Sequence, residues 1–220
     1  MNWTNNISTL ENCLKSLSAR GRAGDETDSD SAFAQWRDRT VRVREKGKTA
    51  YLIGNGASAS MASHFAADLA KNGRVRTEVF TDLSLITAVA NDVSYESVFS
   101  EPLRWQMAQG DMPVAISSSG NSPNVLAGCE TAVLLGGFVV TLSACPELVE
   151  GRSLGNLNFY VPAETYGAVE TCHAAILHYW MDQINHETHE THERCFFIYI
   201  NHERHGKKMK ENRFFSCVSW

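Results

Sequence analysis

The chain has 220 residues, of which 43% are hydrophobic and 20% charged, and its formal net charge is −5. These values are typical of one globular domain with additions, and they exclude a protein that holds nucleic acid through a basic surface. The start lacks a signal-peptide pattern, and the longest apolar stretch is far shorter than the ~20 residues of a membrane span. We therefore expect a cytoplasmic protein with reduced cysteines and a small-molecule or protein partner, with no nucleic acid and no membrane.

Residues 1–48 are predicted to form a helical arm. Apolar residues recur there at spacings of three and four, at Ile7, Leu10, Leu14 and Leu17. This periodicity predicts an amphipathic helix that ends near residue 20, followed by a polar loop over 21–31 and a second helix to about Lys46. Neither helix carries evident chemistry, and their apolar stripes are suited to packing against another copy of the chain.

Beyond residue 48 the pattern changes to short β-rich runs separated by helical segments. The candidate strands are 50–53, 76–80, 113–117, 138–142 and 157–161. The candidate helices are 58–71, 83–90, 95–108, 123–135 and 164–183. This alternation predicts a parallel sheet of five strands covered by helices on both faces, in a domain over residues 49–185.

Two serine- and glycine-rich loops each follow a candidate strand and open into a candidate helix. They are GNGAS at 54–58, which contains Gly56, and SSSGNS at 117–122. Such a loop presents free backbone N–H groups, hydroxyls and the positive end of a helix dipole to an anion. For GNGAS alone, a steric need for glycine in a tight turn is an equally good explanation. Two such loops at the carboxyl edge of one sheet predict a phosphate site.

The second loop offers four hydroxyls, and a third connection offers further polar groups. The hydroxyls belong to Ser117, Ser118, Ser119 and Ser122. Three or four charge-assisted hydrogen bonds can hold a phosphate without arginine. Asn91 and Asp92 lie where a third connection would face the same pocket, so they are candidate ligands for sugar hydroxyls, with helix capping as an equal alternative.

Candidate acid–base residues occur on two predicted helices. His64 and Asp68 are four residues apart after the first loop, so their side chains share one helix face, and an ordinary surface pair is the alternative. Glu170 and His178 lie on the last helix, about 12 Å apart along a straight axis. They cannot both touch one small group unless the helix bends or two subunits contribute. His173 between them is interpreted as a packing or surface histidine.

Two segments break the pattern. Residues 144–153 are interpreted as a surface insertion between the fourth and fifth strands. Residues 186–220 form an atypical low-complexity tail, in which His186, His189 and His192 recur every third residue. Such a tract can bind metal, but a solvated tail is the favoured interpretation. The apolar piece at 195–200 is a candidate for an added strand or a sticky segment.

Residues 30–184 resemble the sedoheptulose 7-phosphate isomerase (phosphoheptose isomerase) branch of the SIS sugar isomerases. The motifs that carry the resemblance occur in order and are IGNGASASMASHFAADLA, VANDVSYESVFS, AISSSGNSPNVL and SLGNLNFYVPAETYGAVETCHAAILHYWMDQ. The resemblance implies a three-layer αβα sandwich and a homotetramer with active sites between subunits. It implies an enzyme that converts sedoheptulose 7-phosphate to D-glycero-D-manno-heptose 7-phosphate through an enediol, for heptose and lipopolysaccharide synthesis.

The resemblance also assigns residues by position. It places phosphate-binding serines at Ser58, Ser117, Ser118, Ser119 and Ser122. Sugar contacts fall on Asn55 and Asp92, and the acid–base pair on Asp68 and His178. Family members that bind zinc do so through positions that are here His64, Asp68, Glu170 and His178, and no nucleotide cofactor is expected.

Three positions depart from the family, which usually has Glu at Asp68, Gln at Glu170 and Asp at Gly167. The departures at Asp68 and Gly167 leave a second hypothesis open. Related SIS tetramers act as adaptors for the bacterial replication initiator DnaA, without catalysis. A phosphosugar sensor is a further alternative.

Overall fold

The computed structural model describes residues 2–144 and 153–203, with side chains described through residue 185. The strands are β1 (Ser18–Gly21), β2 (Glu26–Thr27), β3 (Thr49–Gly54), β4 (Arg76–Val79), β5 (Met112–Ile116), β6 (Val140–Ser143) and β7 (Leu157–Tyr160). The helices are α1 (Trp3–Lys15), α2 (Ser29–Glu45), α3 (Ala57–Lys71), α4 (Leu83–Asp92), α5 (Ser100–Gln106), α6 (Pro123–Leu134) and α7 (Tyr166–Glu203), with a short 3-10 turn at Tyr95–Ser97.

The strands form one sheet in the order β2-β1-β7-β6-β5-β3-β4. The five strands β3 to β7 are those predicted from the sequence, and each pairs in parallel with its neighbours among the five. Every residue of β5 and β6 is buried, as expected for strands covered on both faces. The predicted parallel sheet is therefore confirmed.

Two apolar clusters lie on opposite faces of this sheet. On β3, Leu52 belongs to one cluster, whereas its neighbours Tyr51 and Ile53 belong to the other. Successive strand residues point to opposite faces, so the two clusters are separate layers of core. Helices α2, α3 and α7 supply residues to the first cluster, and α5 and α6 to the second. The molecule is thus an αβα sandwich.

The prediction of a plain loop over residues 21–31 is wrong in part. Strand β1 pairs antiparallel with β7 and continues through a turn at Gly24, whose φ is +86°, into β2. Strands this short give no readable alternation. The open edge of β7 supplies the hydrogen-bonding partners that make residues 18–21 extended. The first helix accordingly ends at Lys15, earlier than predicted.

The N-terminal helices pack within the same compact unit as the sheet, which comprises residues 1–185. Trp36 on α2 is fully buried and stacks on Trp180 of α7 with ring centroids 4.2 Å apart. The Trp180 indole N–H donates to the Thr40 hydroxyl at 3.0 Å. Burial of a tryptophan stabilises a fold by several kcal/mol, roughly 3–5 on truncation to alanine. Helix α2 is therefore part of the core, rather than an arm held by another copy alone.

Helix α7 continues to Glu203, well past the predicted end. Residues 195–200 are helical, so of the two alternatives considered for this piece the added strand is wrong. The structure does not describe residues 145–152 of the predicted insertion, residues 204–220 of the predicted tail, or the side chains of His186, His189 and His192. Over the described helices, none combines the length and apolarity needed to cross a membrane.

Candidate functional site

Both serine-rich loops line one pocket of about 260 Å³ at the carboxyl ends of β3 and β5. The lining residues are Asn55, Gly56, Ala57, Ser58, Ile116, Ser117, Ser118, Ser119, Ser122, Tyr166 and Glu170. Seven of the predicted substrate ligands, together with Glu170, are thus brought together. The pocket lies where parallel α/β sheets bind their ligands, outside the carboxyl ends of the strands.

The amino ends of two helices open at this pocket. Gly56 precedes α3 with φ of +56°, and Ser122 precedes α6, whose first residue is Pro123. In the described part of the chain, no side chain caps either helix by a hydrogen bond. The backbone N–H groups of Ser58, Ala59 and Val125 donate to carbonyls of the same turns, whereas the positive dipole ends of both helices remain available to an anion.

The second loop forms a network of hydroxyls around a tight turn. The Ser122 hydroxyl lies 3.3 Å from that of Ser117 and 3.5 Å from that of Ser119. The backbone N–H of Gly120, at φ of +68°, donates to the Ser117 hydroxyl at 3.1 Å. This arrangement places three hydroxyl groups within reach of one ligand, and three or four charge-assisted hydrogen bonds can hold a phosphate.

Glu170 introduces a negative charge into this otherwise neutral pocket. It is half-buried on the first turns of α7, beside Tyr166. The pocket lining contains no Lys, Arg or His among the described residues. A carboxylate close to a bound phosphate repels it by about 1 kcal/mol in water and more in a drier pocket. Glu170 is therefore a cost to phosphate binding at this site.

A second group of side chains lies in the groove between α3 and α7. His64 Nε2 is 3.5 Å from Asp68 Oδ2, so the predicted pair forms. The His178 ring lies 5.9 Å from the His64 ring and 4.7 Å from that of Phe65, between centroids. Asp68 is about one-third exposed, and His64 and His178 are exposed. The acid–base residues of both helices thus meet on one open surface.

The four predicted zinc ligands do not all meet within one chain. Glu170 lines the serine pocket, whereas His64, Asp68 and His178 lie in the groove. Helix α7 is continuous, which separates Glu170 and His178 by about 12 Å. Within the described residues, no three His, Cys, Asp or Glu side chains form a group that could hold a metal ion. A single chain as placed therefore does not fit zinc, and zinc binding stays a prediction.

Asn91 and Asp92 do not line the serine pocket of this chain. Both are exposed at the end of α4, and the Asn91 amide donates to Asp92 Oδ1 at 2.8 Å. Their helix extends to Asp92, two residues past its predicted end. The expectation that they face the same pocket is therefore not met by one chain, since α4 carries them along the surface.

His173 is fully buried, contrary to a surface interpretation. Its ring lies against the backbone of Ser143, but neither ring nitrogen makes a hydrogen bond of standard geometry within the described residues. Burial lowers the pKa of His173 to about 4, so the ring is neutral. Its position, one turn after Glu170, places it below the pocket as a packing residue.

Two residues of the site were missed from the sequence. Tyr166 lines the pocket at the start of α7, and Asn124 pairs with Asn55 from the first turn of α6. Asn124 directly follows the SSSGNSP run, so its place in that motif could have drawn notice. Nothing local marks Tyr166, because only the packing of α7 brings it to the serine loops.

A model of the SIS domain family matches residues 23–144, more than half of the chain. A phosphoheptose isomerase from Trichlorobacter lovleyi is 30% identical over 173 residues, covering 72% of this chain and 84% of that relative. Another, from Coxiella burnetii, is 35% identical over 140 residues, covering 60% and 70%.

Solved structures agree on the fold. The phosphoheptose isomerase GmhA from Neisseria gonorrhoeae superposes with a TM-score of 0.71 at 24% identity, covering 83% of this chain and 94% of that one. At this level of identity the match establishes the fold and nothing further. The residues that match the SIS domain model, 23–144, include both serine loops.

Proposed function

This chain belongs to the phosphoheptose isomerase branch of the SIS domain family, and we propose that it interconverts sedoheptulose 7-phosphate and D-glycero-D-manno-heptose 7-phosphate. One observation carries the proposal. Two uncapped helix ends and a network of serine hydroxyls converge on a single pocket, at one end of a groove that holds a carboxylate and two imidazoles. That arrangement suits a phosphate at one end of the substrate and proton transfer at the other.

The serine pocket would hold the phosphate. Ser58 and the four hydroxyls of the second loop supply donors, and the amino ends of α3 and α6 supply backbone N–H groups. Charge-assisted hydrogen bonds contribute about 1.5–3 kcal/mol each, so three or four of them anchor a phosphate ester. Anchoring the phosphate fixes where the sugar chain runs, which lowers the entropic cost of reaching the transition state.

The groove would supply the acid and the base. Aldose–ketose isomerisation removes a proton from C1 of the ketose, forms an enediol and returns a proton to C2, while the oxygens exchange a proton. We assign Asp68 as the base at carbon and His178 as the acid at oxygen. In one chain Asp68 is about one-third exposed to solvent. Cover from a second subunit would exclude water from the site and strengthen the electrostatic interactions within it.

Assembly would therefore matter to this activity. We propose a homotetramer with active sites between subunits, in the cytoplasm, where heptose synthesis for surface glycans would use the product. Support comes from the separation of Glu170 from His178 on the unbroken helix α7, because one chain cannot bring both to a single group. A bound zinc ion would polarise the substrate carbonyl, but no step here depends on it.

The test is incubation of the protein with sedoheptulose 7-phosphate in deuterated water, before and after chelation. We expect deuterium at C2 of the aldose product, and loss of turnover in Asp68→Asn and His178→Ala with phosphate binding retained. Loss of label on chelation alone would indicate a required metal. Normal turnover in both variants would refute the assigned roles.

The non-catalytic hypotheses predict a different outcome. A phosphosugar sensor would bind the ketose and incorporate no label, and an adaptor would retain the initiator DnaA in a pull-down. The relatives described above are isomerases by name, which favours catalysis.

A further inference from the structure

The two serine loops are joined by a pair of asparagine side chains. Asn55 Nδ2 donates to Asn124 Oδ1 at 2.8 Å, and Asn124 Nδ2 donates to Asn55 Oδ1 at 2.9 Å. Asn55 follows β3 in the first loop, whereas Asn124 is the second residue of α6, just after the second loop and 69 residues later in the chain. The reciprocal pair is therefore a direct link between the two halves of the pocket.

Asn124 lies behind the pocket and Asn55 lies in its wall. Asn124 is only 2% exposed and is not among the lining residues, while Asn55 is half-buried and lines the pocket. An apolar neighbour would leave the amide of Asn55 free to rotate. Two hydrogen bonds to a buried partner instead hold that amide in one orientation, since a buried amide that loses its partner is costly.

The pairing also decides which group Asn55 can offer a ligand. A primary amide has two N–H donors and one oxygen with two lone pairs. The Asn55 oxygen accepts from Asn124 and, at 3.5 Å, from the Tyr95 hydroxyl, while one of its N–H groups is given to Asn124. One N–H remains. The group that Asn55 can offer a ligand is therefore an N–H donor, which could bind a sugar oxygen in the pocket.

We propose that Asn124 is a positioning residue, which orients the Asn55 amide toward the sugar part of the ligand without touching that ligand. The proposal deepens the isomerase function and rests on it for the identity of the sugar phosphate. The phosphate itself would be held by the serines and helix ends, whereas the hydrogen bonds described for the Asn124 side chain go to Asn55. Its loss should therefore weaken the binding of the sugar phosphate more than the binding of inorganic phosphate.

The experiment measures by calorimetry the binding of sedoheptulose 7-phosphate and of inorganic phosphate to the full chain. In Asn124→Ala we expect the Kd for the sugar phosphate to rise about tenfold, as loss of one or two neutral hydrogen bonds implies, and the Kd for phosphate to change less than about threefold. Asn124→Ser, a residue favoured at helix starts, replaces Asn124→Ala if that variant does not fold.

Two controls separate orientation from general damage. Cys129→Ala removes a buried side chain from the same helix, away from the loops, and should lower stability while leaving both Kd values unchanged. The double variant Asn55→Ala with Asn124→Ala should bind the sugar phosphate no more weakly than Asn55→Ala alone, because Asn124 acts through Asn55.

Several results would overturn the proposal. One is an unchanged Kd for the sugar phosphate in the Asn124 variants. Another is a rise in the Kd for inorganic phosphate equal to that for the sugar phosphate. A third is a double variant whose Kd for the sugar phosphate rises by the product of the two single effects. A wild-type protein that binds the sugar phosphate without turning it over would refute the proposed reaction and leave this comparison intact. A wild-type protein that binds neither ligand would overturn both.

Discussion

A methyl group added at Gly54 is expected to displace the first serine loop. An ideal Cβ at this position would lie 2.7 Å from Ser58 Cβ and 2.8 Å from the carbonyl oxygen of Ile116. Carbon atoms in van der Waals contact are about 3.5–4.0 Å apart, so Gly54→Ala needs a local shift of roughly 1 Å. Neither neighbour can rotate away, because one contact is to the first turn of α3 and the other to the backbone of β5.

The shift has two measurable costs. Overpacking of this kind destabilises a fold by about 1–3 kcal/mol, which urea unfolding will report. Misplacement of a substrate-holding loop by about 1 Å lowers kcat/KM by roughly a hundredfold. Gly167→Ala is the matched control, because a Cβ there meets nothing within 4 Å and its φ is not positive. Wild-type stability and kcat/KM in Gly54→Ala would refute the steric reasoning.

Three further variants each test one ionisable side chain. Glu170→Gln removes the negative charge from the phosphate pocket and should tighten phosphate binding by about fivefold to tenfold, measured by calorimetry; equal or weaker binding would contradict the repulsion. Asp68→Glu adds one methylene of reach and should raise kcat about tenfold, whereas a lower kcat would show that Asp68 is already placed for its role. Burial lowers the pKa of His173 from 6.5 to about 4, so as the pH falls the unfolded chain binds a proton at this residue before the folded chain does. The free energy of unfolding should therefore decrease by about 3 kcal/mol as the pH drops from 6.5 toward 4. Urea unfolding at pH 7 and pH 5 should show that His173→Leu loses less free energy of unfolding between the two pH values than the wild type does. Equal losses in the two proteins would count against this explanation.

Local pattern determined the parallel core and the phosphate loops of this protein. Strands β3, β5, β6 and β7 are almost wholly buried, and their mostly apolar runs can be recognised in the sequence alone. Strand β4 lies at the edge of the sheet, where Arg76 and Glu78 are exposed, and it was recognised from its place in the alternation of strands and helices. The serine loops could also be predicted from the sequence, because their signal is local. A glycine-bearing turn between a strand and a helix depends on residues that are neighbours in the chain.

Tertiary packing decided what lies further apart in the sequence. Strand β1 is extended because β7 offers an open edge, and His178 meets His64 because α7 packs beside α3. The Asn55–Asn124 pair joins residues that no periodicity relates. Chain-local signals report the conformation of a few neighbouring residues. Contacts between side chains that are distant in the sequence depend on how whole helices and strands pack, and only the tertiary structure determines that packing.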